Sequence, residues 1–372
     1  MCRRDSIGRG GTPPGAAPFQ MTDPAHTPHT PHTLRPHRAS HRRLITLGAA
    51  LLALAALAAA VAATRDRDRP AGAAAAPLAS ASPTERPFLP TDRAVKMRLL
   101  EALDEPPQLL IFGGSRATRF EPSYLRELTG LRGFNLALQN GRPEDAWAFT
   151  NLIHERHPGT GLHVVWFLHV EAFREQGLSA GLIQDPALAR WFPRSLVERE
   201  RARLPQTAAG LPKGRDLALT EYGQDGAVLR NRYDLEVEKG RTLERAVDWT
   251  INEALQRYKT TAPALFPRSQ TYFEKTIRAL NEDGTKPVIV FMPLHPRLLA
   301  AVKPAGWSER HGQVMGYLRD LQDELDFAVL DFSVLSSFGG DPQGFYDGFH
   351  IRKANARRLL DAVVAQAPGS FE

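Results

Sequence analysis

The sequence predicts an α/β fold of three layers, an α/β/α sandwich around a central parallel sheet. Within residues 94–372, short apolar runs alternate with amphipathic stretches of helical period. Several of these stretches carry helix-start or helix-stop signals: Pro143 is followed by Glu144 and Asp145, and Gly284 follows a later stretch. Strands that alternate with helices pair in parallel through crossover connections, which place helices on the faces of the sheet.

Five strands and four helices are predicted in order along this region. The strands cover residues 108–112, 133–138, 162–170, 286–292 and 327–332. The helices cover residues 143–155, 269–283, 308–324 and 352–366. Residues 172–268 interrupt the pattern because they are charged, favour helix and contain few strand signals. This insertion is predicted either as a lid or substrate-binding subdomain over the sheet, or as a structural excursion with no part in chemistry.

The N-terminal region has three predicted parts. Residues 1–43 are rich in Pro, His, Thr and Arg, which predicts a disordered tail; Met21 offers an alternative start within it. Residues 44–64 carry no charge and are long enough to cross a membrane core of about 30 Å as a helix. We expect a single transmembrane anchor or a cleaved secretory signal, followed by an Ala/Pro linker over residues 65–93. Both alternatives place the domain outside the cytoplasm. An anchor would hold it at the cytoplasmic membrane with the N-terminus inside, and a cleaved signal would release it as a secreted protein.

The charge distribution argues against nucleic-acid binding. The chain has a formal net charge of +6, but residues 1–43 hold seven Arg against two Asp. Residues 65–93 hold five Arg against three Asp and one Glu, so the predicted globular domain is near neutral. The basic residues therefore flank the apolar segment, as topology signals do, and no nucleic acid is expected as a partner. Cys2 is the only cysteine, which excludes an intramolecular disulfide and cysteine-based metal sites.

Two short segments carry the candidate chemistry. The predicted strand Leu-Leu-Ile-Phe ends in Gly113-Gly114 and delivers Ser115, and the segment Phe-Tyr-Asp-Gly-Phe-His supplies Asp347 and His350. A serine needs a neighbouring base to act as a nucleophile, and that base needs an orienting acid. An Asp-x-x-His spacing lets the carboxylate hold one imidazole nitrogen while the other faces the serine. Helix capping by the serine and the aspartate is the structural alternative.

These residues resemble the SGNH/GDSL hydrolase superfamily, over roughly residues 109–364. In that family a nucleophilic serine follows the first strand and an Asp-x-x-His near the C-terminus completes the triad; the matching residues are Ser115, Asp347 and His350. Gly113-Gly114-Ser115 replaces the usual Gly-Asp-Ser, which is similar to the divergent extracytoplasmic branch that includes alginate-acetylation and lipoteichoic-acid D-alanylation proteins. The resemblance implies an SGNH, flavodoxin-like sandwich and acyl-ester chemistry.

The resemblance also implies an oxyanion hole built from three donors. The backbone amide of Ser115 is the first, and Asn140 and Gly141, which follow the second predicted strand, are the nearest candidates for the others. An ordinary turn contains the same residue types. The family's Gly-x-Asn-Asp block is not visible: after the third predicted strand the chain has His169 and Glu171 instead.

Other polar residues are predicted near the same edge of the sheet. Arg116, Gln139 and His295 are candidates for substrate binding, although each has a structural alternative such as a solvated helix face or a strand end. Arg119 and Asp331 have the same two alternatives.

No metal or other cofactor is expected. His295, Asp347 and His350 are conceivable zinc ligands, but their spacing matches no zinc motif. A serine beside them favours metal-free chemistry.

The sequence therefore favours a serine esterase or O-acyltransferase that acts on a cell-envelope glycan. Water as acceptor gives an esterase and a sugar hydroxyl gives a transferase, for which a membrane-bound acyl-donor protein is the expected partner. A catalytically silent glycan-binding or scaffold protein on the same fold remains an alternative. So does a cell-wall interaction protein whose insertion binds other proteins.

Overall fold

A computed structural model of the chain describes residues 91–204, 218–258 and 265–372. These residues belong to one compact unit. The predicted tail, apolar segment and nearly all of the linker lie outside the described residues. Within the described ranges, no helix has the length and apolar character needed to cross a membrane.

Strands and helices alternate along the described ranges as the sequence predicts. The strands are β1 (Leu109–Gly113), β2 (Gly133–Asn135), β3 (His163–Leu168), β4 (Glu221–Tyr222), β5 (Val228–Arg230), β6 (Val288–Phe291) and β7 (Ala328–Asp331). The first six helices are α1 (Asp92–Glu101), α2 (Pro122–Thr129), α3 (Pro143–Arg156), α4 (Ala180–Gln184), α5 (Pro186–Ala189) and α6 (Arg194–Arg203). The others are α7 (Arg232–Glu238), α8 (Leu243–Tyr258), α9 (Pro267–Glu282), α10 (Pro296–Val302), α11 (Ser308–Leu321) and α12 (Lys353–Gln366).

The central sheet has five parallel strands in the order β2-β1-β3-β6-β7. Alternate residues of β1 enter two hydrophobic clusters: Leu110 and Phe112 face one side, and Leu109 and Ile111 face the other. Helices α3, α9 and α11 contribute to the first cluster, and α2 and α12 contribute to the second. The predicted α/β architecture with a parallel sheet flanked by helices is therefore confirmed.

Most predicted elements differ from the structure by a few residues at their ends, and two of these differences have an identifiable physical reason. Strand β2 ends at Asn135, although the apolar run continues to Leu138; the run is longer than the strand because Leu136 and Leu138 are buried in the connection that follows. Helix α1 begins at Asp92, so the predicted linker over residues 65–93 extends too far. Arg93 is buried only because it pairs with Asp145 of α3, with Nε 2.7 Å from Oδ1, and this tertiary contact has no local sequence signal.

The insertion forms the short helices α4 to α6, an antiparallel hairpin of β4 and β5, and the helices α7 and α8. Helix α8 packs against α10, and α4 packs against α1. The insertion is thus anchored to the α/β body. Tyr233 of α7 and Trp249 of α8 line one cavity with Ser115, which follows the carboxyl end of β1.

Lys96 on α1 ties the insertion to the sheet. Its side chain is fully buried, and Nζ donates to the Asn135 carbonyl at 2.6 Å and to the Gly226 carbonyl of the hairpin turn. Gly226 has φ of 79°, and a Cβ there would lie 2.5 Å from the Asn135 carbonyl oxygen, so the turn needs a glycine.

We expect Lys96→Met to lower the free energy of unfolding by about 2–4 kcal/mol, because two buried carbonyls lose their donor. Urea unfolding of the full chain measures the change, with the exposed Lys239→Met as the matched control. Equal stability of the two variants would contradict the tie between α1 and the hairpin.

Candidate active site

Ser115 lies in a tight turn at the carboxyl end of β1. A 3₁₀ turn over Ser115–Ala117 follows the strand directly. Gly113 has φ of 153°, and a Cβ there would lie 2.8 Å from the Ala117 Cβ and 2.9 Å from the Phe167 carbonyl oxygen. The chain therefore requires glycine at this position to turn sharply and present the serine at the sheet edge.

The three residues of the predicted triad lie in hydrogen-bond contact. Ser115 Oγ is 3.1 Å from His350 Nε2, and His350 Nδ1 is 2.9 Å from Asp347 Oδ2. The other carboxylate oxygen of Asp347 accepts the backbone N–H groups of Phe349, at 2.7 Å, and of His350, at 2.8 Å. These contacts hold the carboxylate and the imidazole in one fixed arrangement although the serine is more than two hundred residues away in the chain.

Asp347 is ionised in this arrangement. Burial of its side chain opposes ionisation, but His350 and the two backbone amides outweigh burial and hold the pKa of Asp347 at about 2. An ionised carboxylate only accepts hydrogen bonds, so we assign the proton of a neutral His350 to Nδ1. Nε2 then presents a lone pair towards the Ser115 hydroxyl.

The loop that carries Asp347 and His350 is closed on itself. Phe345 and Ile351 form an antiparallel bridge, and the Tyr346 amide donates to the His350 carbonyl at 2.8 Å. Gly348 lies at the turn, where a Cβ would come within 2.8 Å of a methyl group of Leu298. The loop thus packs tightly against α10 immediately before α12 begins.

The insertion adds a residue that the sequence did not single out. The Tyr233 hydroxyl lies 3.2 Å from His350 Nε2, and the two rings pack with centroids 4.4 Å apart. Burial raises the pKa of Tyr233 to about 12, so the hydroxyl is protonated and can donate to the same lone pair as Ser115. Arg232 donates to this hydroxyl at 3.2 Å. The sequence around Tyr233 resembles other charged helix starts in the insertion, so it does not predict the contact with His350.

Arg119 fixes the start of α7 and so the position of Tyr233. Its guanidinium donates to Asn231 Oδ1 at 2.7 Å, pairs with Asp234 and donates to the Tyr346 hydroxyl at 3.1 Å. Tyr346 in turn donates to Asp234 at 2.8 Å. Arg119 therefore connects the segment between β1 and α2 with the insertion and the Asp347 loop, which is a structural role.

The residues predicted for the oxyanion hole line a common cavity. Ser115, Asn140 and Gly141 line one cavity, and Asn140 has φ of 53° in the turn that follows β2. A Cβ on Gly141 would lie 2.2 Å from the Gly113 carbonyl oxygen, so glycine permits the close approach of the two loops. The Gly141 amide already donates to the Leu138 carbonyl at 3.0 Å, which argues against its predicted role as a free donor.

The cavity has a volume of about 380 Å³ and strongly polar walls. The predicted Arg116 and Gln139 are part of its lining, while α7 and α8 of the insertion contribute others. The charged residues that line it are Arg116, Arg142, Arg174, Arg232, Arg257, Glu171, Glu253 and Asp347. Cations outnumber anions there, although the globular domain as a whole is near neutral.

His295 and Asp331 lie outside this lining, contrary to the expectation for strand-end residues. His295 is buried, its Nδ1 accepts the Arg297 amide at 3.3 Å at the start of α10, and its ring packs against Phe345. Asp331 pairs with His311, with 3.1 Å between Oδ2 and Nε2. His295 therefore caps the start of α10, and Asp331 forms an ion pair with His311. Both residues have structural roles.

Arg116 lies in the cavity wall rather than on a solvated helix face. Its guanidinium stacks on the Phe349 ring at 4.2 Å, and Nη2 is 3.7 Å from Glu171 Oε2. Glu171 also accepts the Tyr258 hydroxyl at 2.5 Å and is 2.8 Å from His169 Nδ1. A buried polar cluster thus lies next to Ser115, built from the residues that follow β3 and from the end of α8.

Among the residues that the structure describes, no group of three or more His, Cys, Asp and Glu side chains is arranged to hold a metal ion. Neither protein-family models nor curated proteins show a match to this chain.

Proposed function

We propose that the chain is a serine acyl-ester enzyme of the SGNH type, an O-acyltransferase or esterase that acts on a cell-envelope glycan. The contact from Ser115 to His350 and on to Asp347 carries this proposal. Such a chain of a hydroxyl, an imidazole and an ionised carboxylate is the arrangement that turns serine into a nucleophile.

In the first half-reaction, Ser115 Oγ attacks the carbonyl carbon of the donor ester. Its proton passes to His350 Nε2 as the new C–O bond forms, and Asp347 stabilises the imidazolium. The tetrahedral intermediate then expels the donor alcohol, which takes the proton from His350. The acyl group remains on Ser115 as an ester.

In the second half-reaction, a hydroxyl oxygen attacks the acyl carbon and gives its proton to His350. Ser115 Oγ leaves and recovers that proton. The Ser115 amide and the Asn140 side chain are the proposed donors to the negative oxygen of both intermediates, since both residues line the cavity. Water as the attacking group gives hydrolysis, and a sugar hydroxyl gives transfer.

An exposed tryptophan supports a carbohydrate substrate. Trp249 of α8 is 56% exposed and lines both the site cavity and an adjoining one of about 490 Å³. Arg241 lies over its ring at 5.9 Å, and Tyr233 and Arg232 line both cavities. A large aromatic ring beside polar groups offers a stacking surface to the apolar face of a sugar while the hydroxyls reach the polar side chains.

The predicted anchor at residues 44–64 supports an extracytoplasmic location at the cytoplasmic membrane. An acyl donor in the cell envelope must be delivered across that membrane, so the proposed partner of a transferase is a membrane-bound acyl-donor protein. Cleavage of the segment would instead release the domain.

A silent glycan-binding protein is the second candidate. The engagement of the Gly141 amide by Leu138 and the absence of the Gly-x-Asn-Asp block favour it, because both weaken the oxyanion hole. This candidate predicts that carbohydrate binding survives replacement of Ser115 and that acyl transfer does not occur.

The test follows acetate release from acetylated xylan by the full chain, with and without a deacetylated glycan as acceptor. We expect release that depends on Ser115, and movement of the label from an acetyl-labelled donor to the glycan if the enzyme is a transferase. A folded chain that binds the glycan and releases no acetate would favour the second candidate.

We expect Trp249→Ala to raise KM for acetylated xylo-oligosaccharides about tenfold, the equivalent of one aromatic contact. Turnover of p-nitrophenyl acetate, which carries no sugar to stack on Trp249, should stay within about twofold. Leu229→Ala is the matched control because Leu229 is 59% exposed and lies outside both cavities. Equal loss with both substrates would contradict a role of Trp249 in sugar binding.

A further inference from the structure

A second histidine–carboxylate pair lies beside the proposed triad. His169 follows β3, the strand next to β1 in the sheet, and its Nδ1 is 2.8 Å from Glu171 Oε2. His169 and Glu171 line the same cavity as Ser115 and His350. The triad mechanism uses neither residue.

The contacts around Glu171 determine which nitrogen of His169 carries the proton. Burial opposes ionisation of Glu171, but the hydrogen bonds from His169 and Tyr258 and the charge of Arg116 hold its pKa well below the usual range. Burial, and then the charge of Arg116, lower the pKa of His169, so the imidazole is neutral at neutral pH. Because the Glu171 carboxylate only accepts, Nδ1–H donates to it and Nε2 has a lone pair.

His169 Nε2 lies next to the backbone that presents the nucleophile. A Cβ built on Gly114 would lie 3.2 Å from His169 Nε2, so this nitrogen lies against the residue that precedes Ser115. Among the described residues, no side chain or amide donates to it. The guanidinium groups on the same walls are all donors. The neutral imidazole therefore adds to these donors an acceptor nitrogen close to the nucleophile, whereas the Glu171 and Asp347 carboxylates are already engaged by His169 and His350.

We infer that His169 Nε2 binds a hydroxyl group of the acyl acceptor, a sugar with two adjacent hydroxyl groups. This inference rests on the proposed function. One hydroxyl donates to His169 and is held there, while its neighbour attacks the acyl carbon on Ser115 and passes its proton to His350. The C–O bond to Ser115 breaks as the new ester forms, and the proton on His350 returns to Ser115 Oγ. His169 gains and loses no proton, and it acts as a positioning residue for the second half-reaction.

If His169 acts only in the second half-reaction, its replacement should affect one of two measurements on the same protein and leave the other unchanged. A p-nitrophenyl acetate burst reports formation of the acyl-enzyme, which needs no acceptor sugar. The increase in steady-state turnover with methyl glycosides of glucose, galactose and mannose reports capture of the acyl group by an acceptor. We expect His169→Ala in the full chain to keep the burst rate constant within about twofold, and to raise the acceptor concentration at half-saturation about tenfold, the equivalent of one lost hydrogen bond.

Two further variants make the result specific. His169→Gln can offer an amide oxygen near the position of Nε2, so it should retain more of the acceptor response than His169→Ala. His163→Ala is the matched control, because His163 lies at the opposite end of β3 and bonds the Ser370 carbonyl at 2.9 Å. Its acceptor response should equal that of the wild type.

Three outcomes would overturn the inference: an unchanged acceptor response in His169→Ala, loss of the burst together with the acceptor response, or an equal effect in His163→Ala. A binding arm distinguishes this inference from the proposed function. Saturation-transfer NMR with the same glycosides on Ser115→Ala should show binding that His169→Ala weakens in that background. Binding of this kind without any burst in the wild type would reject the enzyme and keep the hydroxyl site.

Discussion

Replacement of Ser115 by alanine is expected to lower kcat/KM for p-nitrophenyl acetate and for acetylated glycans by at least about 10³-fold, because the variant has no nucleophile to form the acyl-enzyme. The fold should not change. Ser115 lies partly exposed in a turn whose shape depends on Gly113, and alanine fits that turn. The measurement is steady-state kinetics on the full chain, with thermal unfolding recorded in parallel.

Ser123→Ala is the matched control for this experiment. Ser123 is an exposed serine on α2, only eight positions further along the chain and outside the site cavity. It should leave both rates within about twofold of the wild type. Comparable activity of Ser115→Ala and Ser123→Ala would show that the serine at the end of β1 is not the nucleophile.

Asp347→Asn is expected to lower kcat/KM by about 10³- to 10⁴-fold while the site keeps its shape. The amide oxygen can keep the two backbone N–H groups that Asp347 Oδ1 accepts, which turns the amide nitrogen towards His350 Nδ1. Nδ1 must then become the acceptor, so the proton moves to Nε2 and that nitrogen can no longer take a proton from Ser115. Kinetics of this variant, with circular dichroism to verify the fold, test the assignment.

Asp361→Asn is the corresponding control, because Asp361 lies on α12, outside the site cavity, and accepts the Tyr124 hydroxyl in an exposed 2.6 Å contact. Its activity should match the wild type. A loss smaller than about tenfold in Asp347→Asn would contradict the view that the carboxylate sets the protonation of His350.

The same carboxylate makes folding stability depend on pH. The pKa of Asp347 is about 2 in the folded protein and about 3.9 in an unfolded chain, so the unfolded state binds the proton more readily. The stabilisation is present above about pH 4 and is lost as the pH falls towards 2. Relative to Asp347→Asn, the wild type should lose about 2 kcal/mol of unfolding free energy between pH 5 and pH 2.

The architecture was predictable because its signals are local. Apolar runs mark all five parallel strands, and start and stop residues such as Pro143 and Gly284 mark helix ends. Helix α1 was not predicted, and its first two residues were assigned to the linker, because burial of Asp92 and Arg93 depends on partners far along the chain. Such contacts leave no trace in local composition.

The candidate site was predictable only in part. Ser115, Asp347 and His350 combine a strand-end turn with a recognisable spacing, and the structure brings them together. Tyr233 lies at the site because the insertion folds over the sheet edge, and His169 is oriented by Glu171. Neither contact follows from a local sequence pattern. His295 and Asp331 lie near strand ends as predicted. Their polar atoms bond the start of α10 and His311, and these contacts could not be read from the local sequence.

The most direct test of the central claim is a search for an acyl adduct on Ser115. The full chain would be mixed with p-nitrophenyl acetate, quenched in acid within the burst and digested for mass spectrometry, with Ser115→Ala treated alongside. We expect an acetyl group on the peptide that contains Ser115. The group should be absent from the variant and should be lost on addition of an acceptor sugar or with time. Turnover without an adduct at Ser115, or an equal adduct in the variant, would contradict the proposal that Ser115 is the nucleophile.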